Sequence, residues 1–213
     1  IWKSFVLKNQ ESYVLLLTGL SGAGKTTIAT ALQKQLLQKG RSSVLLDGDE
    51  IRNIIQLHAF DEASRKAHNL RIAKMASLFE AQGNIVIISL IAPYADVRSQ
   101  MRKLCNNFYE IYLNTSIETC MERDPKGLYK KALSGEINNF TGVSAPYEIP
   151  ENPELSLDTA ILSIDQCTDK VLSLVFYSYE WQYKYRHLKL GSLQTVTATG
   201  KRRASLQMTV FGY

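Results

Sequence analysis

Short apolar runs alternate with helical patterns over most of this 213-residue chain. Runs of four or five apolar residues are typical of strands that are buried on both faces of a parallel sheet. The predicted strands are 13–17, 44–46, 85–88 and 109–113, and a less regular run at 160–164 is a candidate for a last strand. The alternation therefore predicts an α/β protein in which helices cover both faces of a mostly parallel sheet.

Apolar residues three and four positions apart indicate the helices between these strands. The predicted helices are the segment that carries Ile28, Leu32 and Leu36 on one face, and residues 63–81, 97–104 and 166–174. In the long helix 63–81, the inward face is predicted at Ile72, Ala76 and Phe79. Helices of this length between strands are typical of crossover connections in a parallel sheet.

Residues 124–153 do not fit the alternation. The segment is polar, holds four of the five prolines and contains three glycines. It is longer than an ordinary connection in a compact domain, and long segments of this kind commonly close over a functional site. We therefore predict a lid over about 124–153.

The net positive charge is concentrated after residue 176. The chain carries a net charge of +5, and residues 177–213 hold six of its 25 basic residues but only one of its 20 acidic ones. The first 176 residues are therefore neutral, and the basic balance does not indicate that they bind nucleic acid. We predict one domain over 1–176 and a basic C-terminal extension of unknown role over 177–213.

Composition also bears on the compartment. No apolar run approaches the ~20 residues that span a bilayer, and no signal segment opens the chain. The three cysteines, Cys105, Cys120 and Cys167, have neither an even number to pair nor the spacing of a metal site. We interpret them as reduced core thiols, and we expect a cytoplasmic protein without a membrane partner.

The most informative stretch for chemistry is residues 19–26, Gly-Leu-Ser-Gly-Ala-Gly-Lys-Thr, which fits the phosphate-binding pattern G-x-x-x-x-G-K-[ST] without mismatch. It lies between a predicted strand and a predicted helix, as such a loop must. Backbone amides there would surround a polyphosphate, Lys25 would reach the β- and γ-phosphates, and the Thr26 hydroxyl would take a Mg²⁺ position. The sequence thus predicts a nucleoside triphosphate site formed by Gly22, Ala23, Gly24, Lys25, Thr26 and Thr27.

Two carboxylates follow the second predicted strand, at Asp47 and Asp49. The carboxyl ends of parallel strands meet at one edge of a sheet, so we expect both carboxylates near the bound phosphates. A carboxylate there can hold Mg²⁺, directly or through water, or accept a proton from an attacking hydroxyl. Asp47 is the candidate for the metal and Asp49 for the base. The alternative is a turn at Asp47 and Gly48 with Asp49 as a helix cap.

Taken together, these motifs resemble one family. Residues 19–27, followed by Leu-Asp-Gly-Asp at 46–49 and Ile-Arg at 51–52, are similar to the adenylyl-sulfate (APS) kinase family. The lid of that family is reproduced almost residue for residue at 123–132, 135–137, 140–142, 146–148 and 153–155, and residues 158–159 continue it. The resemblance covers about residues 13–175. The phosphate loop alone is common to many NTPases, whereas the lid string is highly specific.

The resemblance implies a three-layer P-loop NTPase fold and an enzyme of sulfate assimilation. It implies transfer of the γ-phosphoryl group of ATP to the 3′-hydroxyl of APS, with ATP and Mg²⁺ as cofactors, nucleotides as partners and a homodimer as the suggested assembly. It makes Asp49, Lys25 and Arg52 catalytic, with Asp49 on the acceptor hydroxyl and Arg52 on the phosphosulfate side. The acceptor site that it implies also contains Phe60, Arg65, His68, Ile91, Lys126, Asn139 and Phe140, with the two phenylalanines on either side of the adenine.

Three positions depart from the family pattern. His68 stands where the family has Asn, Leu70 where it has the first of two arginines, and Ala92 where it has a Ser that has been considered for phosphorylation. The alternatives are a related kinase for another nucleotide-like acceptor, and an inactive nucleotide-binding module whose basic tail docks a partner. For His68 the alternative is a surface histidine. For Phe60 and Phe140 it is core packing.

Overall fold

The computed structural model describes residues 12–57 and 59–176. Its strands form one sheet in the order β2-β3-β1-β4-β5, and every pairing is parallel. The strands are β1 (Val14–Thr18), β2 (Ser43–Asp47), β3 (Ile85–Ser89), β4 (Phe108–Leu113) and β5 (Leu155–Leu157). All residues of β1 and β3 are buried, which explains their unbroken apolar runs. The predicted α/β class is confirmed.

Six helices connect or flank the strands, and a seventh closes the described part of the chain. They are α1 (Lys25–Gln38), α2 (Gly48–Ile54), α3 (Glu62–Ala81), α4 (Ala95–Leu104), α5 (Ile117–Arg123), α6 (Leu128–Leu133) and α7 (164–176). The four predicted helices are confirmed as α1, α3, α4 and α7. The helices α2, α5 and α6 have seven residues or fewer, which is too short to show a helical period in the sequence.

Helices cover both faces of the sheet. On one face, Ile72 and Ala76 of α3 are fully buried in a cluster with Val14 and Leu16, and Phe79 packs against it. Successive strand residues point to opposite faces, so the neighbouring leucines of β1 face the other layer, where α1 contacts β1, β2 and β3. The result is a three-layer sandwich, as the sequence predicted.

The strand predicted at 160–164 is wrong. The edge strand β5 lies at Leu155–Leu157, where Leu155 pairs with Ile111 of β4. Turns follow instead, because the Ala160 amide donates to the Asp158 side chain and the Leu162 amide to the Asp158 carbonyl. A strand of three residues is too short for a period-two pattern to be visible.

The predicted lid segment, 124–153, is hydrogen-bonded to the sheet and to α4 through residues near the C-terminal end of the segment. The Tyr147 hydroxyl lies 2.9 Å from the Thr18 hydroxyl at the end of β1. Buried Arg98 of α4 donates to the Glu148 carbonyl at 2.7 Å and to the carboxylate of Glu110 at 2.7 Å. The extension 177–213 lies outside the described residues, so the domain boundary at 176 stays a prediction.

The structure shows the state of the three cysteines and whether any described helix could cross a membrane. Cys120 and Cys167 are buried, Cys105 is half-buried, and all three are free thiols. Burial raises the pKa of the Cys105 thiol to about 12. Among the described residues, no helix combines the length and the apolar character that a membrane crossing requires.

Candidate active site

A cavity of about 1200 Å³ opens where β2 and β3 end. Its walls come from the phosphate loop, from α2 and α3, and from the lid segment. Pockets for a single small ligand usually measure about 300–1000 Å³, so this space is large enough for two nucleotides. The predicted site residues that line it are Gly22, Gly24, Lys25, Thr26, Thr27, Asp47, Asp49, Arg52, Phe60, Arg65, His68, Ile91, Lys126 and Phe140. Ala23 and Asn139 are not in its lining.

The phosphate loop needs its glycines. Gly22 and Gly24 have φ of +81° and +92°, in the left-handed region that side chains rarely adopt. A Cβ on Gly22 would also lie 2.8 Å from the Cys120 carbonyl oxygen. Helix α1 begins directly after this turn, at Lys25, so its free first-turn amides face the cavity end where an anion would bind.

Lys25 folds back over its own loop. Its Nζ donates to the carbonyls of Gly19 at 3.0 Å and Leu20 at 2.7 Å. Burial lowers the pKa of this ammonium to about 8, although the nearby carboxylates of Asp49 and Asp47 act in the opposite direction. A desolvated ammonium gains more from an anionic partner than a solvated one does. The loop thus holds a cation that a phosphate would stabilise.

Three hydrogen bonds explain the position of the Asp47 side chain. One carboxylate oxygen accepts from the Thr26 hydroxyl at 2.9 Å, and the other accepts from the Asp49 and Glu50 amides. The helix cap is therefore Asp47, and the alternative that made Asp49 the cap is wrong. Strand β3 lies between β1 and β2, so Thr26 reaches Asp47 across the end of β3, where Ser89 lies 3.3 Å from the Thr26 hydroxyl.

The oxygens of Thr26, Asp47 and Ser89 fit Mg²⁺. They are hard ligands, and they adjoin the amides of the phosphate loop. Within the described residues, no group of three or more His, Cys, Asp or Glu could hold a metal without other help. This suits Mg²⁺, which proteins usually bind through one or two carboxylates, waters and substrate phosphates.

An ion pair joins the predicted base to the lid. The Asp49 carboxylate lies 2.5 Å from the Lys126 ammonium, and 68% of the Asp49 side chain and 59% of the Lys126 side chain are exposed. The contact with Asp49 raises the pKa of Lys126. The pair spans the cavity mouth between α2 and the lid segment.

Arg52 and Phe60 form the neighbouring wall. Arg52 is buried, donates to the Ala59 carbonyl at 2.8 Å, and places its guanidinium carbon 4.6 Å from the centre of the Phe60 ring. Burial and the charge of Arg65 lower the pKa of Arg52. Phe60 is 55% exposed, so the core-packing alternative is wrong for this ring.

Another part of the cavity wall comes from the lid segment. Phe140 is buried and meets Tyr129 edge-on at 5.0 Å, so it has a packing contact as well as a place in the cavity. Arg65 of α3 donates to the Thr141 hydroxyl at 2.6 Å and to the Asn139 carbonyl. Asn139 therefore contributes a backbone contact that anchors the lid to α3.

His68 is not a surface histidine. It is 1% exposed, and its Nε2 lies 3.0 Å from the Gly48 carbonyl. Burial and the charge of Arg52 lower its pKa, so the ring is neutral at pH 7. Its Nδ1 and the Nδ2 of the next residue, Asn69, are the two buried side-chain nitrogens without a hydrogen-bond partner among the described residues.

Several lining residues were not predicted as site residues from the sequence. Ser89 and Asn69 belong to no recognised sequence motif. Ser89 could nevertheless have been proposed, because it is a polar residue at the end of a buried strand. Arg123 and Thr159 lay inside the family-like strings without an assigned role. Arg123 donates to the Thr159 hydroxyl at 2.8 Å, and that hydroxyl donates to the Ala23 carbonyl at 3.0 Å. These hydrogen bonds stabilise the phosphate loop.

Comparison with known proteins agrees with this geometry. The family model described as adenylylsulphate kinase matches residues 11–158. An adenylyl-sulfate kinase of Prochlorococcus marinus is 43% identical over 169 residues, which are 78% of this chain and 84% of that protein. One of Bacillus licheniformis is 44% identical over 172 residues, which are 79% of this chain and 87% of that protein.

A solved structure shares the fold. The Mycobacterium tuberculosis APS kinase CysC, in complex with AMPPNP and APS, superposes with a TM-score of 0.75 at 37% identity, covering 78% of this chain and 98% of that one. The family match spans more than half of this chain and contains both the phosphate loop and the lid segment. This chain therefore belongs to the adenylyl-sulfate kinase family.

Proposed function

We propose how the cavity of this chain phosphorylates APS to 3′-phospho-APS at the expense of ATP. One observation carries the assignment of roles. The ammonium of Lys25 and the carboxylate of Asp49 line a single cavity, large enough for donor and acceptor together, and an arginine and an aromatic ring lie on the acceptor side. Phosphoryl transfer needs mainly this kind of positioning and charge stabilisation.

The donor half binds the triphosphate. Amides of Gly22 to Thr27 hold the phosphate oxygens, and Lys25 leaves its loop carbonyls to contact the β- and γ-phosphates. Thr26 and Asp47 would hold Mg²⁺, which when bound neutralises charge on the transferred group. Ala23 acts through its backbone, since its side chain is buried away from the cavity.

The acceptor half binds APS. Phe60 and Phe140 contact the two faces of its adenine, because aromatic surfaces bind a base with little loss of side-chain entropy. Arg52 and Arg65 face its phosphosulfate group. Ile91 adds apolar contact, and Asn139 positions the lid. His68 completes the wall next to Arg52.

The proton moves to Asp49. As the 3′-oxygen attacks the γ-phosphorus, the Asp49 carboxylate orients the hydroxyl and accepts its proton, and the bond to the bridging oxygen of ADP breaks. Lys126 contacts only the Oδ2 oxygen of Asp49, at 2.5 Å, so the other carboxylate oxygen can accept from the hydroxyl while Lys126 also contacts phosphate oxygens. The lid meanwhile excludes water, which would otherwise compete as the acceptor. The cytoplasmic location and the homodimer stay predictions.

A coupled ADP-release assay tests these roles. We expect ADP release with ATP and APS, little release with water alone, and much lower kcat/KM for other adenine nucleotides that carry a free 3′-hydroxyl. Product chromatography should show one new phosphate on the 3′-oxygen. A better acceptor in the panel would instead indicate a related kinase, and no release with any acceptor would contradict the proposal.

A further inference from the structure

Side-chain donors reach the backbone carbonyls of five consecutive residues in the phosphate loop. The pairs are Lys25 with Gly19 and Leu20, Tyr129 with Ser21, Arg123 with Gly22, and Thr159 with Ala23. A carbonyl oxygen carries partial negative charge, so a loop that binds an anion needs its amides, and not its carbonyls, on the anion side. These donors thus favour the loop conformation that binds phosphate.

Of these four donors, only Tyr129 is fully buried, with 1% of the residue exposed. It is the second residue of α6 in the lid segment, and its amide donates to the side chain of Asp124 at 3.2 Å. Its hydroxyl donates to the Ser21 carbonyl at 3.0 Å. Burial raises the pKa of Tyr129, so the hydroxyl keeps its proton and remains a donor.

The hydrogen bond from Tyr129 determines the direction of the peptide group between Ser21 and Gly22. In a planar trans peptide, the carbonyl of one residue and the amide N–H of the next point in opposite directions. Ser21 and Gly22 line the cavity, whereas Tyr129 is not among the described residues that line it. Because the Ser21 carbonyl is directed at Tyr129, the Gly22 N–H points the other way, towards the cavity, where it can donate to a phosphate.

This peptide group needs a partner to hold it, because Gly22 allows it to rotate. Gly22 has φ of +81°, and a glycine exchanges between backbone regions with little steric cost. A rotated peptide would direct the Ser21 carbonyl oxygen at the phosphates, which would repel it. Rotation would also leave the buried Tyr129 hydroxyl without its acceptor, which costs free energy.

The ring of Tyr129 has a second contact, in the acceptor half of the cavity. It meets the Phe140 ring edge-on, with the ring centres 5.0 Å apart and the planes at 81°. One buried side chain therefore contacts the phosphate loop through its hydroxyl and an acceptor-side ring through its edge. The two contacts can be removed separately, since phenylalanine keeps the ring and lacks the hydroxyl.

We propose that Tyr129 is a positioning residue, whose hydroxyl keeps the Gly22 amide directed at the phosphates of ATP and whose ring supports Phe140 beside the acceptor. This inference rests on the proposed function, which places ATP on this loop. Tyr129 acts through the peptide between Ser21 and Gly22, so the group that it serves is the triphosphate and not the nucleoside.

Equilibrium titrations without APS test the hydroxyl. We expect Tyr129→Phe to raise Kd for the ATP analogue AMPPNP with Mg²⁺ about 3- to 10-fold, the effect of one lost hydrogen bond on the orientation of the loop. Inorganic tripolyphosphate, which has no nucleoside, should lose the same factor. Tyr109→Phe is the matched control, because it makes the same change in β4, where the ring contacts Tyr13.

Steady-state kinetics separate positioning from a general loss of packing. Tyr129→Phe should raise KM for ATP about 3- to 10-fold and leave KM for APS within about twofold, because the contact with Phe140 is kept. Tyr129→Leu removes both contacts, so it should raise KM for APS as well. Thermal unfolding of each variant would show that the measured enzyme is folded.

Several results would overturn the proposal. They are a Kd for AMPPNP in Tyr129→Phe within twofold of the wild type, a loss for AMPPNP that tripolyphosphate does not share, and an equal rise in both KM values in Tyr129→Phe. An unchanged KM for APS in folded Tyr129→Leu would overturn the role of the ring. If Tyr129→Leu does not fold, the Tyr129→Phe titrations decide. A wild type that binds AMPPNP but does not phosphorylate APS would contradict the proposed function instead.

Discussion

The two halves of the cavity differ in how their polar groups are satisfied. In the donor half, Lys25 is held by two carbonyls of its own loop, and the Thr26 hydroxyl is held by Asp47. In the acceptor half, His68 and Asn69 each keep one buried nitrogen that has no partner in the part of the chain that the structure describes. The cation and the hydroxyl of the donor half are thus satisfied within the protein, whereas two buried nitrogens of the acceptor half are not.

This difference follows from how each half is built. The donor half comes mostly from one contiguous turn, residues 19–27, whose geometry is determined by its glycines. The acceptor half brings together α2, α3 and the lid segment, which is distant from both helices in the sequence. Arg65 of α3, for example, contacts Thr141 of the lid segment, 76 residues further along the chain. Substitutions at the acceptor wall can therefore alter selectivity and leave the phosphate loop intact.

The largest expected effect is in the donor half. Lys25→Ala removes the cation that contacts the transferred phosphates, and we expect kcat/KM for ATP to fall about 10³-fold, with weaker ATP binding and slower turnover. Lys34→Ala, on the exposed face of α1, should change neither. ATP titration and initial rates measure both quantities. A decrease of less than about tenfold would mean that Lys25 does not contact the phosphates.

The next effect lies where the halves meet. Asp49→Asn keeps the shape of the side chain but removes its charge, so we expect kcat to fall about 10²-fold or more with ATP affinity nearly unchanged. Glu50→Gln makes the same chemical change one residue further along α2 and serves as the control. Near-parental kcat in Asp49→Asn would show that the carboxylate does not act on the acceptor hydroxyl.

The activity and the stability should both depend on pH through Lys25 of the donor half. Lys25 has a pKa lowered to about 8, so it loses its charge as pH rises through that value, and kcat/KM for ATP should fall up to about tenfold over the next pH unit. Stability should move in the opposite direction. Between pH values of about 8 and 10.5, Lys25 binds a proton in the unfolded chain but not in the folded chain. The free energy of unfolding should therefore increase as the pH rises through this range. Initial rates and urea unfolding between about pH 6 and 10 would measure the change in kcat/KM and the change in stability.

The sequence alone was sufficient to predict strands that are buried on both faces and a motif that lies within one short turn. The strand 85–88 is buried on both faces, so its apolar run is continuous, and the phosphate loop is legible because one short turn requires particular residues. Asp47 was correctly predicted near the phosphate loop, and it contacts Thr26 although β3 lies between β1 and β2.

Features that depend on distant contacts could not be predicted in this way. Whether His68 is buried or exposed depends on α2 packing across α3, which its position in a helical pattern does not reveal. The unpartnered nitrogen of Asn69 appears only when every neighbour is known. Strand β5, with three residues, is detectable through its pairing with β4 and not through its own pattern.

The smallest expected effect concerns the extension 177–213. All described cavity residues lie between Ser21 and Cys167, and the family match ends at residue 158. The extension carries the whole net positive charge, and the first 176 residues are balanced, so the electrostatics of both halves should not depend on it. We expect a chain that ends at Tyr177 to fold and to keep kcat/KM for ATP and for APS within about threefold of the full chain, a change near the resolution of such kinetics. Circular dichroism and gel filtration would check the fold, and initial rates would check the site. Loss of the folded state would show that the extension stabilises the domain, and a selective rise in KM for APS would show that it belongs to the acceptor half, so the boundary at 176 would have to move.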